Sequence, residues 1–415
     1  MEKLILVYID LMGETIQVGQ LWSRFRNGKE SMSFEYDRSW LNHPKRFSLD
    51  PSLHLCEGSF QDSPDKPLFG ALDDSAPDRW GRLLMRRLER KNAEKEKRAP
   101  RSLNEIDFLL GVDDEARQGA LRFKRPGEDI FLTTYANNHI PPLIGVSKLM
   151  TAASHVLQDS ESYDDLKLLL APGSSLGGAR PKASVRDHDG QLAIAKFSRE
   201  DDEIDTIAWE AVALTLAAKA GIEVPEWRVE KVDRIKILLS RRFDRKDTLR
   251  IPYLSAMSVL GAKDNESHSY LEIADAIRQM SGFPNNDLEA LWRRIVFSVL
   301  ISNVDDHLRN HAFLYLGTSW RLSPAYDLNP TPLDIKPRIL STSIDRIDAT
   351  ASLDLAMSVA HYFNVDKIRS KKIILEVGQA VATWRLEAKN FSIKKSEVDR
   401  MATAFDHDDL TNSLK

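Results

Sequence analysis

The segment Asn303-Val304-Asp305-Asp306-His307-Leu308-Arg309-Asn310, followed downstream by Ser323-Pro324-Ala325-Tyr326-Asp327-Leu328, decides how this chain reads. On a continuous helix, at about 100° per residue, Asp305 and Asn310 would face roughly 140° apart. Only an irregular loop lets both converge on one small ligand. Between them and Asp327, residues 311–316 and 320–322 read as two strands joined by the turn Gly317-Thr318-Ser319. Such a hairpin returns the chain so that Asp327 lands beside the loop. One aspartate to take a hydroxyl proton, with an asparagine and a second aspartate for magnesium, is the layout of phosphoryl transfer. A polar turn before a surface hairpin explains one or two acidic residues, but not three ligand-type residues in this order.

Composition sets the frame. At 415 residues the chain predicts two or three domains, and 42% hydrophobic with 29% charged residues is ordinary for globular proteins. A formal net charge of -4 argues against nucleic-acid binding as the main activity. The single cysteine, Cys56, precludes an intramolecular disulfide and suits a reducing cytosol. The apolar run of residues 4–9 is too short for a signal peptide, and no segment reaches membrane-spanning length. A cytoplasmic location with no membrane partner is the expectation.

Residues 3–60 read as short strands, Leu4–Ile9, Thr15–Leu21 and Ser31–Tyr36. Asp78 caps a helix through Arg90, and Asn92–Arg101 reads as a solvated link. Another helix covers Leu103–Leu110, and Ser147–Leu170 has helical spacing throughout. Ser174-Ser175-Leu176-Gly177-Gly178-Ala179-Arg180-Pro181-Lys182 is a small-residue loop before a strand, where backbone N–H groups can approach phosphate oxygens. It lacks the Gly-Lys-Ser/Thr ending of a Walker loop, and an ordinary turn is the competing reading. In the next strand, alternation puts Leu192, Ile194 and Lys196 on one face. Glu210 falls on the apolar stripe of the following helix, which Gly221 would cap. A lysine on the neighbouring strand would satisfy that carboxylate, as in the pair that orients ATP phosphates in kinases; a stripe-edge Glu reaching water is the alternative. The strand from Ile235 ends at Arg241-Arg242-Phe243-Asp244, where main-chain groups could meet an adenine and Asp244 a ribose hydroxyl.

Ser175–Lys182, Arg242-Phe243-Asp244-Arg245, the loop 303–310 and Ser323–Asp327 together resemble the HipA family of bacterial serine/threonine kinases, toxins of type II toxin–antitoxin modules. The likeness covers nearly the whole chain, with Asp78-Arg79-Trp80-Gly81-Arg82 in the extra N-terminal region. It implies an α+β, protein-kinase-like bilobal fold: a strand-rich N-lobe (126–246), an all-helical C-lobe (247–415) and a mixed α/β N-terminal subdomain (1–125). It also implies ATP and Mg2+ as cofactors. Asp305 matches the catalytic aspartate, Asn310 and Asp327 the magnesium ligands, and Lys196 the phosphate lysine, paired with Glu210. Gly177, Gly178, Ala179 and Lys182 belong to the phosphate loop. Arg241 and Phe243 match the adenine link, and Asp244 and His307 the ribose side. Ser175, or its neighbour Ser174, matches the autophosphorylated serine; a phosphate there would repel ATP. Arg309 stands where lysine is common and offers a phosphate a different geometry. The implied partners are a helix-turn-helix antitoxin that carries the DNA contact, and a protein substrate such as an aminoacyl-tRNA synthetase.

Two other readings fit the same loop: a small-molecule phosphotransferase, and a non-catalytic nucleotide-binding corepressor. A metal-dependent phosphohydrolase on Asp305, His307 and His311 would need a further His/Asp cluster, and the other histidines are scattered singly.

Overall fold

The structure, a computed structural model, describes residues 2–62, 68–132, 140–173, 182–198, 202–232 and 235–415. The chain forms two compact units. The first comprises Met1–Arg199, Glu230–Leu254 and Tyr315–Thr318, and the second Glu200–Val229, Ser255–Leu314 and Ser319–Lys415.

The first unit opens with an antiparallel sheet of order β4-β3-β2-β1-β5, made of β1 (Glu2–Leu11), β2 (Glu14–Arg26), β3 (Lys29–Tyr36), β4 (Ser59–Gln61) and β5 (Leu121–Lys124). Ile5, Val7, Ile9 and Leu11 of β1 are buried at the two-residue period of a strand. The strands run longer than their apolar spacing predicts, because Met12-Gly13 and Asn27-Gly28 all have positive φ, between 53° and 84°. Such two-residue turns match the strand twist and let pairing continue to the turn.

The helix Arg79–Lys95 starts where the sequence places its cap: Asp78 Oδ1 accepts from the Gly81 N–H at 2.7 Å. It runs beyond Arg90 into the expected link, since Ala93 is buried as well. The segment 147–170 is not one helix but two, Val146–Leu157 and Tyr163–Gly173. Asp159 turns left-handed at φ 54°, and Ser162 and Asp165 cap the second helix reciprocally, the Ser162 N–H to Asp165 Oδ2 at 2.8 Å and the Asp165 N–H to Ser162 Oγ at 3.0 Å.

These helices pack on one face of a second antiparallel sheet containing β6 (Lys182–Arg186), β7 (Leu192–Phe197) and the strand Ile235–Arg241. Ala183, Val185, Ala195, Phe197, Ile237 and Leu239 form the sheet side of that core, with Leu84, Leu149 and Leu169 opposite. Lys182 and Lys196 are directly paired across β6 and β7, so both project from the face away from this core.

The second unit is predominantly helical. Its helix Thr206–Lys219 departs from the expected stripe, being buried almost all round, with Trp209, Val212, Ala213 and Leu216 inside as well as Ile207 and Leu214. Gly221, at φ 72°, closes it: the Ile222 N–H donates to Ala217 O at 2.9 Å and the Gly221 N–H to Ala218 O at 3.1 Å. Trp209, Trp384 and Phe405 pack beneath it, the last two stacked with centroids 4.6 Å apart. The strands Ala312–Tyr315 and Trp320–Leu322 follow the loop, as the loop-hairpin reading requires. No helix among the described residues is long and apolar enough to cross a membrane.

Asp78 gives a pH test of this packing. Burial pushes its carboxyl up to about 6 despite the nearby Lys182 charge and the Gly81 N–H, and Oδ2 lacks a hydrogen-bond partner among the described residues. A carboxyl raised by folding contributes its full stabilisation below the ordinary carboxylate range and loses it as pH rises through about 6. Asp78→Asn keeps the cap and removes that slope. Urea unfolding should find it more stable than wild type at pH 7.5, by on the order of 1–3 kcal/mol, and equal near pH 4.

Candidate active site

The catalytic-loop candidate leaves the end of the helix Pro284–Leu300 as irregular backbone, with Ser302 left-handed at φ 52°. The chain folds on itself there. The His307 N–H donates to Asp305 O at 2.8 Å, the Asn310 N–H to His307 O at 2.8 Å, and Asn310 Nδ2 to Asp305 O at 3.2 Å. Asp305 and Asn310 therefore meet across a short 3-10 turn, Leu308–Asn310, rather than along a helix. The Asp305 side chain is 59% exposed while Asn303, Asp306 and Asn310 are buried. The Asp305 carboxylate faces solvent, while Asn303, Asp306 and Asn310 of the same loop point inward.

Asp306 is the inward anchor. Its Oδ2 accepts from the Tyr270 hydroxyl at 2.5 Å and the Ser298 hydroxyl at 3.2 Å, and its Oδ1 lies 3.1 Å from His311 Nε2, off hydrogen-bonding alignment. Burial raises the carboxyl's pKa, but His311 and the two hydroxyls outweigh that and hold it below the usual carboxylate range. The same contact and burial push the Tyr270 phenol well above its ordinary range. An ionised carboxylate in the interior is tolerable only with such partners.

Two clasps bring Asp327 to the loop. The Tyr326 hydroxyl donates to Arg309 O at 2.7 Å, next to Asn310, and the Asn329 N–H donates to Asn303 Oδ1 at 3.1 Å. Between them Asp327 is left-handed at φ 59°, a conformation aspartate tolerates better than most residues. Asn329 Nδ2 steadies it by donating to Asp327 O at 3.1 Å. The structure thus gathers Asp305, Asn310 and Asp327 in one unit. Asn310, its nitrogen tied to Asp305 O, is left with its carboxamide oxygen for a cation. One amide oxygen and one carboxylate are hard donors of the kind magnesium takes when phosphates supply the rest. Among the described residues no group of three or more His, Cys, Asp or Glu side chains is placed to hold a metal.

The remaining candidates divide. Ser174, Ser175, Gly177, Gly178 and Ala179 lie outside the described residues. Lys182 is buried and Lys196 half-buried, side by side on one face of the β6–β7 ladder. Glu210 is 6% exposed, so the reading in which it reaches water is overturned. Arg241 donates to Asp189 Oδ2 at 2.5 Å, and the Phe243 ring lies 6.5 Å from that of Tyr253. His307 caps the 3-10 turn, and its Nδ1 has no hydrogen-bond partner among the described residues.

Asp244 needs a correction. Its carboxylate, expected to reach a ribose, is 4% exposed and already saturated: Arg242 Nε and Nη2 donate at 2.9 and 2.6 Å, Arg245 Nη1 at 2.8 Å, and the Gly119 N–H at 2.8 Å. Burial would raise its pKa, but the two guanidiniums hold it far below the usual carboxylate range. Arg242 Nη1 also reaches Ala116 O at 2.6 Å, so Arg242-Phe243-Asp244-Arg245 ties the strand end to residues 116–119. Sequence reasoning missed Asn303, Tyr326 and Asn329 as clasps, although Tyr326 and Asn329 flank Asp327 closely enough to have been weighed with it. Lys336, whose Nζ lies 3.3 Å from Asp305 Oδ1, carries no motif that marks it.

Residues 174–384 match the HipA-like C-terminal domain and residues 9–123 the HipA N-terminal domain. The chain belongs to the HipA family. The fold agrees: the HipA of the Shewanella oneidensis toxin–antitoxin system, solved with HipB and its operator DNA, superimposes with a TM-score of 0.64 over 99% of this chain and 96% of that one, at 13% identity. Two Sinorhizobium fredii proteins carrying provisional kinase names, Y4mE and Y4dM, are 24% and 26% identical over 255 and 214 residues. Those matches cover 55% and 47% of this chain, and 61% and 52% of the relatives' own lengths.

The clamp at Asp244 is testable apart from catalysis. Asp244→Ala leaves two guanidiniums buried without their carboxylate and should cost about 3–5 kcal/mol in urea unfolding. A variant of unchanged stability but impaired nucleotide binding would restore the ribose role.

Proposed function

We propose that this HipA-family chain is a magnesium- and ATP-dependent serine/threonine protein kinase acting as the toxin of a toxin–antitoxin pair. The observation that carries the reading is the solvent-facing Asp305 carboxylate on a loop that buried Asn303 and Asp306 hold rigid, with Asn310 and Asp327 clasped beside it. Pre-set donors of this kind cost no reorganisation during reaction. Bound Mg-ATP supplies the γ-phosphoryl group. Asp305 accepts the proton of a Ser or Thr hydroxyl as its oxygen bonds to phosphorus and the bond to the ADP oxygen breaks, ADP keeping the electron pair. Asn310 and Asp327 are the proposed metal ligands; Lys196 and Lys182 are the proposed phosphate lysines, and Glu210 keeps the place of the helix glutamate in the family pattern. Arg241 and Phe243 border the adenine through main-chain atoms, and His307 lies toward the ribose. Gly177, Gly178 and Ala179 cover the phosphates, and phosphate added to Ser175 or Ser174 switches the protein off.

The partners proposed are a helix-turn-helix antitoxin that carries the contact with operator DNA, in keeping with the Shewanella oneidensis complex of HipA, HipB and operator DNA, and a protein of translation such as an aminoacyl-tRNA synthetase as substrate. A cytoplasmic setting suits all of them.

Labelled ATP incubated with the protein and a proteome tests the reading. Wild type should label protein and gain phosphate on the peptide holding Ser174 and Ser175. Asp305→Asn should lower both by about 10²–10⁴-fold. Undiminished labelling by that variant, or labelling only of small hydroxyl compounds, would replace this function with another.

A further inference from the structure

The structure assigns to Lys336 the place of the cation that neutralises the transferring phosphoryl group, a role the loop's own Arg309 is turned away from filling; this rests on the kinase reading. The Arg309 guanidinium is paired with the Asp264 carboxylate. Lys336 Nζ instead lies 3.3 Å from Asp305 Oδ1, and it is the side chain that meets the Asp305 carboxylate among the described residues.

The mounting of Lys336 is what separates it from a chance surface pair. The segment after Asp327 is laced to the catalytic loop on both sides of it. The Thr331 N–H donates to Ser302 O at 3.1 Å, the Ser341 N–H to Val304 O at 2.9 Å, and the Thr342 hydroxyl to Asp306 O at 2.7 Å. Between these ties the chain arches over Asp305, with the Ile335 and Lys336 N–H groups both donating to Pro332 O, at 3.0 and 3.2 Å, and Pro337 following at once. Arg338 fixes the far side, giving Nε to Ser302 Oγ at 3.2 Å and Nη2 to Val299 O at 2.9 Å. The tip of the arch is thus held while the Lys336 side chain is 55% exposed.

An ion pair this exposed contributes little to folding. Its chemistry is another matter. A hydroxyl that gives its proton to Asp305 must bring its oxygen to the carboxylate, and the phosphorus must then approach that oxygen. The ammonium stands within one hydrogen bond of the same carboxylate, so it reaches the non-bridging phosphoryl oxygens where charge collects as the bond to ADP breaks. Lys336 transfers no proton and forms no bond; it stabilises charge. A flexible lysine can make that exchange of partners, whereas the guanidinium of Arg309 is tethered elsewhere.

The test compares wild type, Lys336→Ala, Lys336→Arg, Arg309→Ala and Asp305→Asn, each as the full chain. Calorimetry measures binding of Mg-ADP with aluminium fluoride, a mimic of the phosphoryl in flight, against binding of a non-hydrolysable Mg-ATP analogue. Lys336→Ala should bind the mimic about tenfold or more weakly, bind the analogue as wild type does, unfold in urea as wild type does, and lose about 100-fold in kcat with KM for ATP unchanged. Lys336→Arg should recover much of that loss. Equal affinity for the mimic, a faster reaction (which would make Lys336 an autoinhibitory clasp), or a loss confined to Arg309→Ala overturns the assignment. If Asp305→Asn silences transfer while Lys336→Ala changes nothing, this inference alone falls. If wild type binds no Mg-nucleotide, the kinase reading falls and takes it along.

Discussion

A loop that leaves regular secondary structure inside a protein must find a donor for each carbonyl it exposes. In residues 302–309 those donors decide everything nearby. Ser302, Val304 and Asp306 give their carbonyls to the segment 331–342, Arg309 gives its own to Tyr326, and Asp305 receives Asn310. Satisfying the backbone is therefore the same event as assembling the site. Each tie that pairs an otherwise stranded oxygen also brings Asn310, Asp327 or Lys336 to Asp305.

Adjacent aspartates show how one chemical type serves two ends. Asp306 turns inward and is held ionised by His311, Tyr270 and Ser298 against the cost of burial, while Asp305 stays in water. The first fixes the loop while the second stays exposed. In the other unit, Asp244 repeats the inward role with Arg242 and Arg245, and Lys182 and Lys196 take the outward one. The Asp306 and Asp244 carboxylates are each held by partners from their own unit.

Much of this was legible because local rules point the same way as the fold. Asn27-Gly28 announces its turn, Asp78 its cap, Gly221 its helix end, and the order Asp305, Asn310, hairpin, Asp327 announces the site. Where reading failed, the deciding partner lay far off in sequence. Arg242 and Arg245 flank Asp244, but nothing near it shows that the Gly119 N–H completes its saturation. The helix Thr206–Lys219 looks amphipathic by spacing, yet Trp384 and its neighbours bury its other sides. The break at Asp159 was legible in principle, since Ser162 and Asp165 have capping spacing, but continuous apolar periodicity masked it. Lys336 was invisible because a lysine between prolines has no signature until the carbonyls beside it are known.

The interleaved make-up of the two units has a consequence for biosynthesis. Because Tyr315–Thr318 belongs to the first unit and the second runs to Lys415, neither has all its parts until most of the chain has left the ribosome. Domains whose residues are contiguous can fold in turn as they emerge. Here the order of emergence delays completion, so a product that ends before Thr318 lacks pieces of both bodies.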